Sequence, residues 1–270
     1  LYKLGDEEHM FQLVMHHIIG DGWSLGVFFD EFVTLYKAGL SIKNAELNPM
    51  TFQYADYTLW QRQYLTDEVM QRQLDYWLEE LDGLPPLLEI PTDKIRPDKP
   101  TNRGKMVSLI VSSEVTQGLR QIAFDNQSTL FTVLLAAANI MLSRYSGRSD
   151  IAVGTVMANR TRSEFENIIG FFVNSIVIRN QVDPNQTFNN LLKQVNHKMV
   201  KAHDNQDLPF DTLVDAKRLE RTTAYSPIFQ VMFALHNFTG VNESFGGMSF
   251  EPFASPLNTA KFDLFFNLVD

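Results

Sequence analysis

The spacing of apolar residues along the chain changes repeatedly between a helical and a strand-like period. Short apolar runs predict strands, and the first two of them pair as a hairpin across the turn 5–8. The predicted strands are Leu1–Leu4, Phe11–Met15, Met106–Val111, Ile151–Val156, Phe171–Arg179, Ile228–Leu235 and Lys261–Val269. Helical spacing predicts helices from Ser24 to about Ala38, after Thr51, after Thr66, and over Glu114–Asn126, Leu130–Tyr145 and Phe188–His203. Strands interleaved with helices in this order predict an α/β fold with a mixed sheet.

Local signals mark where several of these helices begin and end. Ser24, Thr129 and Thr187 each precede a helical period, and their hydroxyls are good N-caps. Gly39 and Gly147 follow the last periodic residue of their helices, where a left-handed backbone often ends a helix. We therefore expect helices of well-defined length at these positions.

The periodicity is lost between Gly83 and Gly104, where five prolines occur among charged residues. Proline fixes φ and removes a backbone donor, so this stretch is predicted to be an extended connector and the best candidate for a domain boundary. The chain begins inside one predicted strand and ends on another. We therefore expect a fragment of a longer polypeptide.

Composition narrows the possible functions. The 23 Lys and Arg against 32 Asp and Glu give a net charge of −9, which disfavours broad nucleic-acid binding and attraction to anionic membranes. The absence of cysteine excludes disulfides, thiol nucleophiles and cysteine-based zinc sites, and it fits a reducing, cytoplasmic compartment. The longest apolar stretch, Leu130–Leu142, is about 13 residues and too short to span a membrane.

The strongest chemical signal lies in residues 16–22, HHIIGDG, between a predicted strand and a capped helix. Successive strand side chains point to opposite faces, so His16 and His17 are not expected to share a metal ion. One neutral imidazole facing a cleft would suit general base chemistry near neutral pH.

Asp21 and Gly22 each have two interpretations at this turn. Asp21 could orient an imidazole directly, or it could hold the turn through a buried ion pair with an arginine, which the tight Gly-Asp-Gly turn favours. Gly22 could offer its backbone N–H to a developing oxyanion, or it could be present because the turn needs a positive φ.

Residues 16–22 match HHxxxDG, the active-site motif of the condensation domains of nonribosomal peptide synthetases, and the resemblance extends over essentially the whole chain. Four more segments resemble motifs of that family in the same order: 54–60 (YADYTLW), 169–175 (IGFFVNS), 205–211 (NQDLPFD) and 226–233 (SPIFQVMF). Residues 154–160 (GTVMANR) are similar to its GTPxAGR segment.

The resemblance implies a chloramphenicol-acetyltransferase-like α/β fold, a two-lobed V with mixed sheets and an active-site tunnel between the lobes. Residues 1–100 would be the remainder of the N-terminal lobe with the inter-lobe connector, and residues 101–270 the C-terminal lobe. The implied activity is amide bond formation between a donor thioester and an acceptor amine. Donor and acceptor carrier proteins would supply phosphopantetheine arms, the domain itself would bind no cofactor or metal, and an adenylation domain would adjoin it in the parent polypeptide.

The resemblance also implies roles for individual residues. His17 would be the catalytic residue, as base, as positioning group or as stabiliser of the tetrahedral species, with His16 and the Gly22 N–H in support. Asp21 would hold the loop, with Arg160 of the opposite lobe as its candidate partner. The residues expected along the substrate tunnel are Asn174, Trp23 and Ser24, although Asn174 could equally make a structural hydrogen bond.

Three alternatives stay open at this level. The chain could be an epimerization domain, which shares HHxxxDG, although the residues after Asp21-Gly22 fit condensation domains better. It could be a non-catalytic recruitment module that docks carrier proteins, or a stand-alone acyltransferase acting on a free amine. Because the N-terminal part of the family's domain is missing, we expect the 270-residue piece alone to be inactive.

Overall fold

A computed structural model describes residues 1–39, 43, 45–47, 49–218, 222–236, 248–251, 253 and 258–270. The chain packs as two compact units. Unit 1 contains residues 1–66, 158–173 and 237–256, and unit 2 contains residues 67–157, 174–236 and 257–270. This grouping differs from the predicted division at residue 100, and the assignment of lobes stays a prediction.

Unit 1 joins a small hairpin, two helices and a segment that arrives from much later in the sequence. Its described elements are β1 (Tyr2–Lys3), β2 (His9–Met10), a 3₁₀ turn (His17–Ile19), α1 (Gly22–Lys37), α2 (Tyr54–Tyr64) and a second 3₁₀ turn (Ser163–Phe165). β1 and β2 pair antiparallel, which confirms the predicted hairpin. Its second strand is His9–Met10 and not Phe11–Met15, because residues 11–16 have no strand partner in the described part of the chain.

Helix α1 begins two residues before the predicted N-cap. Asp21 caps it, with a carboxylate that accepts a hydrogen bond from the Ser24 backbone N–H at 2.8 Å. The prediction that Ser24 is the cap was wrong. At the other end, Gly39 has φ +65° and ends the helix as expected.

The core of unit 1 is aromatic. Tyr57 of α2 packs with Phe165, Ile168 and Phe172 from the later segment, and each of the four is at most 5% exposed. Tyr54 and Trp60, on the same helix, pack against this cluster. Residues 158–173 are therefore tied to α2 by buried apolar surface, which explains why they group with the N-terminal residues.

Unit 2 is built, in its described residues, from a four-stranded mixed sheet and five helices. Its elements are α3 (Asp67–Glu80), α4 (Ser113–Asp125), α5 (Leu130–Ser146), β3 (Asp150–Met157), β4 (Asn174–Gln181), α6 (Phe188–Asp204), α7 (Phe210–Ala216), β5 (Val231–His236) and β6 (Leu264–Val269). The strand order is β4-β3-β5-β6, with β3 antiparallel to β4 and parallel to β5, and β5 parallel to β6. The predicted mixed sheet is confirmed.

The helix ends of unit 2 follow the sequence closely. Thr129 and Thr187 accept the expected hydrogen bonds from Thr132 N and Asn190 N, and Gly147 ends α5 at φ +67°. The core contains Trp77, Leu135 and Val195, all at most 2% exposed. Among the described residues no single helix is long and apolar enough to cross a membrane. The consecutive helices α4 and α5 reach that length and apolar composition only when taken together, and the chain bends by 104° between them.

Of the strand predictions in this part, one was wrong in existence and three in extent, since the strands predicted from Ile228 and Lys261 begin at Val231 and Leu264. Residues 106–111 form no strand, and Val107, Leu109 and Ile110 are 84–93% exposed. The strand predicted from Phe171 begins only at Asn174, because residues 171–173 belong to unit 1. The short helix α7, which follows the NQDLPFD segment, was not predicted.

Candidate active site

The two histidines of the HHIIGDG segment lie in a 3₁₀ turn and not on a strand. His16 is the N-cap of the turn, and its Nδ1 accepts a hydrogen bond from Ile18 N at 3.1 Å. His17 is the first residue of the turn. The predicted alternation of strand faces therefore does not apply, but the two imidazoles still differ, since His16 is engaged with its own backbone.

His17 is exposed, and its imidazole packs against one aromatic ring. The ring centroids of His17 and Phe171 are 5.3 Å apart and the planes meet at 88°. This perpendicular arrangement is one of the two that aromatic pairs prefer. The imidazole therefore stays open to solvent on a fixed aromatic support.

Asp21, four residues later, is fully engaged in a buried network. Its Oδ1 accepts hydrogen bonds from Ser24 N and Ser24 Oγ, both at 2.8 Å, and its Oδ2 accepts one from Phe172 N at 3.0 Å. Arg160 Nη2 lies 3.3 Å from Oδ1, and the Asp21 and Arg160 side chains are 0% and 1% exposed. Of the two interpretations, the structure contains the buried ion pair.

Arg160 is held on several sides. It donates hydrogen bonds to the carbonyls of Phe165 and Ile168 and, at 3.0 Å, to Ser24 Oγ. Its guanidinium lies 4.0 Å from the centroid of the Phe172 ring and 5.7 Å from that of Trp23. Arg160 belongs to unit 1 together with Asp21, although the sequence placed it in the other lobe.

Burial and partners act in opposite directions on the charges of this network. Burial alone raises the pKa of Asp21, but the hydrogen bonds from Ser24 and Phe172 and the charge of Arg160 outweigh it and hold that pKa below its usual value. Burial lowers the pKa of Arg160, and Asp21 opposes that change. Burial, with the Asp21 charge, raises the pKa of Tyr54. Asp21 is therefore ionised at neutral pH.

The remaining residues of the turn occupy distinct environments. Ser24 is 0% exposed, and its Oγ also accepts a hydrogen bond from Gly170 N at 3.1 Å, so it is a buried part of this network, and its tunnel-lining role stays a prediction. Trp23 is 46% exposed and its indole N–H donates to the Glu166 carbonyl at 2.8 Å. Gly22 is the first residue of α1 and has no positive φ, so the turn does not require glycine for that reason.

Asn174 lies in unit 2, and both the Nδ2 and the Oδ1 of its side-chain amide are hydrogen-bonded within that unit. Its Nδ2 donates to the carbonyls of Gln206 and Leu208, both at 2.7 Å. Its Oδ1 accepts from Ser175 N at 3.0 Å and Phe210 N at 3.2 Å. The amide thus joins the start of β4 to the NQDLPFD loop, as the structural alternative expected, and the role of Asn174 in the substrate tunnel stays a prediction.

Phe171 and Tyr54 were not predicted as site residues. Tyr54 Oη donates to the Phe171 carbonyl at 2.7 Å, and its ring packs perpendicular to Phe172 at 5.3 Å. The one available signal was that both belong to motif-like segments, YADYTLW and IGFFVNS. The contacts of Phe171 with His17 and with Tyr54 are long-range and cannot be inferred from spacing.

The chemistry open to this arrangement is proton transfer by an exposed imidazole. An ionised, buried Asp21 caps α1 directly after the turn that carries His17, and its hydrogen bonds are to Ser24, Phe172 and Arg160 and not to the imidazole. Within the described part of the chain, no group of three or more His, Asp or Glu residues is placed to hold a metal ion.

Comparison with known proteins defines the class. The model of the Condensation domain family matches residues 1–270. The chain therefore belongs to the condensation-domain family, as the sequence motifs predicted.

Similar curated proteins are large synthetases. The chain is 44% identical over 266 residues to a linear gramicidin synthase protein of Brevibacillus parabrevis, covering 98% of this chain and 5% of that protein. It is 38% identical over 268 residues to bacitracin synthase 3 of Bacillus licheniformis, covering 99% of this chain and 4% of that protein. The chain thus spans only about one twentieth of the length of these relatives.

Solved structures show the same fold. The X-domain from teicoplanin biosynthesis superposes with a TM-score of 0.78 at 23% identity, covering 94% of this chain and 58% of that one. The condensation domain from the Monacolin K polyketide synthase MokA superposes with a TM-score of 0.77 at 21% identity, covering 94% of this chain and 60% of that one. The expected condensation-domain fold is confirmed.

Proposed function

We propose that this chain is the catalytic part of a domain that forms a peptide bond in nonribosomal peptide synthesis. The acceptor amine attacks the carbonyl carbon of the donor thioester, a C–N bond forms and the C–S bond breaks. The amine proton leaves through His17 and reaches the departing thiolate. The products are an amide on the acceptor carrier and a free thiol on the donor carrier.

The observation that carries this proposal is that His17 is exposed while Asp21, four residues later, is buried and paired with Arg160. An exposed imidazole on a turn fixed by a buried carboxylate–arginine pair has what a general base needs, access to substrate and a held position. Such a base contributes about 10²–10⁴ in rate. The Gly22 N–H, in the first turn of α1 where backbone N–H groups lack intrahelical acceptors, is the proposed donor to the developing oxyanion.

The partners follow from the same chemistry. Donor and acceptor carrier proteins would present their thioesters on phosphopantetheine arms, so the thiols would come from the partners and not from this cysteine-free chain. An adjoining adenylation domain and a cytoplasmic location are part of the proposal. The relatives are named as synthases of linear gramicidin and bacitracin, which supports a role in antibiotic peptide assembly.

The decisive experiment is His17→Ala in the parent synthetase module with both carriers loaded. We expect amide formation, followed by mass spectrometry of the acceptor carrier, to fall at least about 100-fold. His9→Ala, an exposed histidine of β2 in the same unit, is the matched control and should retain full activity. Unchanged product formation in His17→Ala would favour the recruitment module. Inversion of the loaded residue without amide formation in the unsubstituted module would favour the epimerization domain.

A further inference from the structure

Within the part of the chain that the structure describes, no carboxylate is hydrogen-bonded to the His17 imidazole. Asp21, the nearest acid in sequence, is fully buried and bonded to Ser24, Phe172 and Arg160. Among the described residues no hydrogen bond is made by the His17 side chain, whereas a general base is normally held by an acid on its second nitrogen. If the ring keeps one orientation, a neighbour other than an acid has to provide it.

Phe171 is the neighbour whose ring contacts the His17 imidazole. Its ring meets the imidazole at 88° with 5.3 Å between centroids, and it is 39% exposed, so it borders the same open space as His17. A perpendicular aromatic neighbour restricts rotation of the imidazole, because turning the ring would lose the favourable edge-to-face contact.

The backbone on both sides of Phe171 is clamped by side chains. Ser24 Oγ accepts from Gly170 N at 3.1 Å, Tyr54 Oη donates to the Phe171 carbonyl at 2.7 Å, and Asp21 Oδ2 accepts from Phe172 N at 3.0 Å. Three consecutive residues are thus each fixed by a different partner. Gly170 allows this, since a Cβ there would lie 2.1 Å from Tyr54 Cδ2.

We infer that Phe171 is a positioning residue, which holds the His17 imidazole in one orientation through its ring and is itself fixed by Ser24, Tyr54 and Asp21. The buried network therefore acts on the imidazole through Phe171 and not by direct contact. Phe171 stands at the unspecified position of the IGxFVN pattern, so the motif alone does not mark it. The kinetic consequence rests on the proposed function, whereas the orientation of the imidazole does not.

The orientation is tested by carbethoxylation of histidine with diethyl pyrocarbonate in the parent module, with mass spectrometry of the peptide that contains His17. Phe171→Leu and Phe171→Met remove the ring and keep an apolar side chain, and we expect both to raise the modification rate of His17 at least about threefold. Phe171→Tyr keeps the ring and should match the wild type. Phe52→Leu, an aromatic residue of unit 1 with 42% exposure, is the matched control.

His16 serves as the internal reference, because its hydrogen bond to Ile18 N does not involve Phe171. An unchanged His17 rate in both Phe171→Leu and Phe171→Met would overturn the inference. So would an equal increase at His16 and His17, since it would report loosening of the whole turn.

Kinetics separate positioning from substrate contact. For Phe171→Leu we expect a fall in kcat of about three- to tenfold, the size of one aromatic pair, with KM for both loaded carriers unchanged within about twofold. A rise in KM without loss of kcat would instead make Phe171 a substrate contact and overturn the positioning role. If His17→Ala is fully active, the proposed function fails, while the carbethoxylation result still decides what orients the imidazole.

Discussion

At the residue scale, the buried ion pair of Asp21 and Arg160 lies close in sequence to an exposed histidine, His17, four residues before Asp21. The Asp21 and Arg160 side chains are 0% and 1% exposed, and every oxygen of the carboxylate has a donor. Breaking such a pair by removing one partner leaves an uncompensated buried charge. The same unit contains an exposed pair of similar composition, Arg162 and Glu164, at 3.1 Å.

These two pairs give a matched stability test. Arg160→Ala should lower the free energy of unfolding by about 3–5 kcal/mol, because Asp21 is left charged and buried. Arg162→Ala should change it far less, since exposed ion pairs are weak and screened. Urea unfolding of both variants measures the difference, and equal losses would contradict the importance of burial.

The depressed pKa of Asp21 predicts a dependence on pH. In the unfolded chain an aspartate titrates near about 3.9, whereas folded Asp21 stays ionised to lower pH. Between these two values the unfolded state binds more protons, so the stability from this group is full above about pH 4 and is lost as the pH falls through the folded pKa. Urea unfolding from about pH 5 to about pH 3 should therefore show a shallower loss in Asp21→Asn than in the wild type; parallel curves would argue against the shift.

At the element scale, helices were predictable where their signals are local, whereas a strand prediction failed where the segment finds no partner. The ends of α5 were predicted correctly from Thr129 and Gly147, and the start of α6 from Thr187, because a cap and its helix are neighbours in sequence. Residues 106–111 have the composition of a strand but no paired neighbour among the described residues, and a strand exists only with a partner. The prediction of the α1 cap was wrong for a related reason. Asp21 and Ser24 are both good N-cap residues, and Ser24 Oγ is instead engaged by a long-range hydrogen bond from Gly170 N.

The NQDLPFD loop gives a prediction at this scale. Asn174→Ala should lower the free energy of unfolding by about 1–3 kcal/mol, because Phe210 N loses its acceptor and two loop carbonyls lose their donor. Asn174→Asp should cost more, since a carboxylate would face the carbonyls of Gln206 and Leu208. Thermal unfolding compares them with Asn185→Asp, an exposed asparagine of the same unit. Equal behaviour of the two aspartate variants would contradict the structural role.

At the scale of the whole molecule, the motifs predicted the family and fold class, but not how distant segments group together. Residues 158–173 join the N-terminal residues because Phe165, Ile168 and Phe172 pack on α2. No local pattern records that preference, since the same apolar residues would suit either unit. The ion pair of Asp21 could be named in advance only because the resemblance supplied Arg160.

The isolated chain gives the last prediction. It covers 58–60% of the solved chains that share its fold and exposes Val107, Leu109 and Ile110 almost fully. We expect the purified 270-residue chain to form no amide between loaded carriers and to bind the hydrophobic dye ANS, while the parent module is active and binds less dye. Amide formation by the isolated chain would refute this.

The Asp21–Arg160 pair also sets an order of events during translation. The two residues are 139 positions apart. At about 5–20 residues per second, Arg160 is added roughly 7–28 s after Asp21. The aspartate leaves the ribosome before its counter-charge exists, and so do the histidines beside it. The buried pair beside the turn that carries His17 therefore forms only after Arg160 has been added, and nascent chains that end before Arg160 carry both histidines without the counter-charge of Asp21.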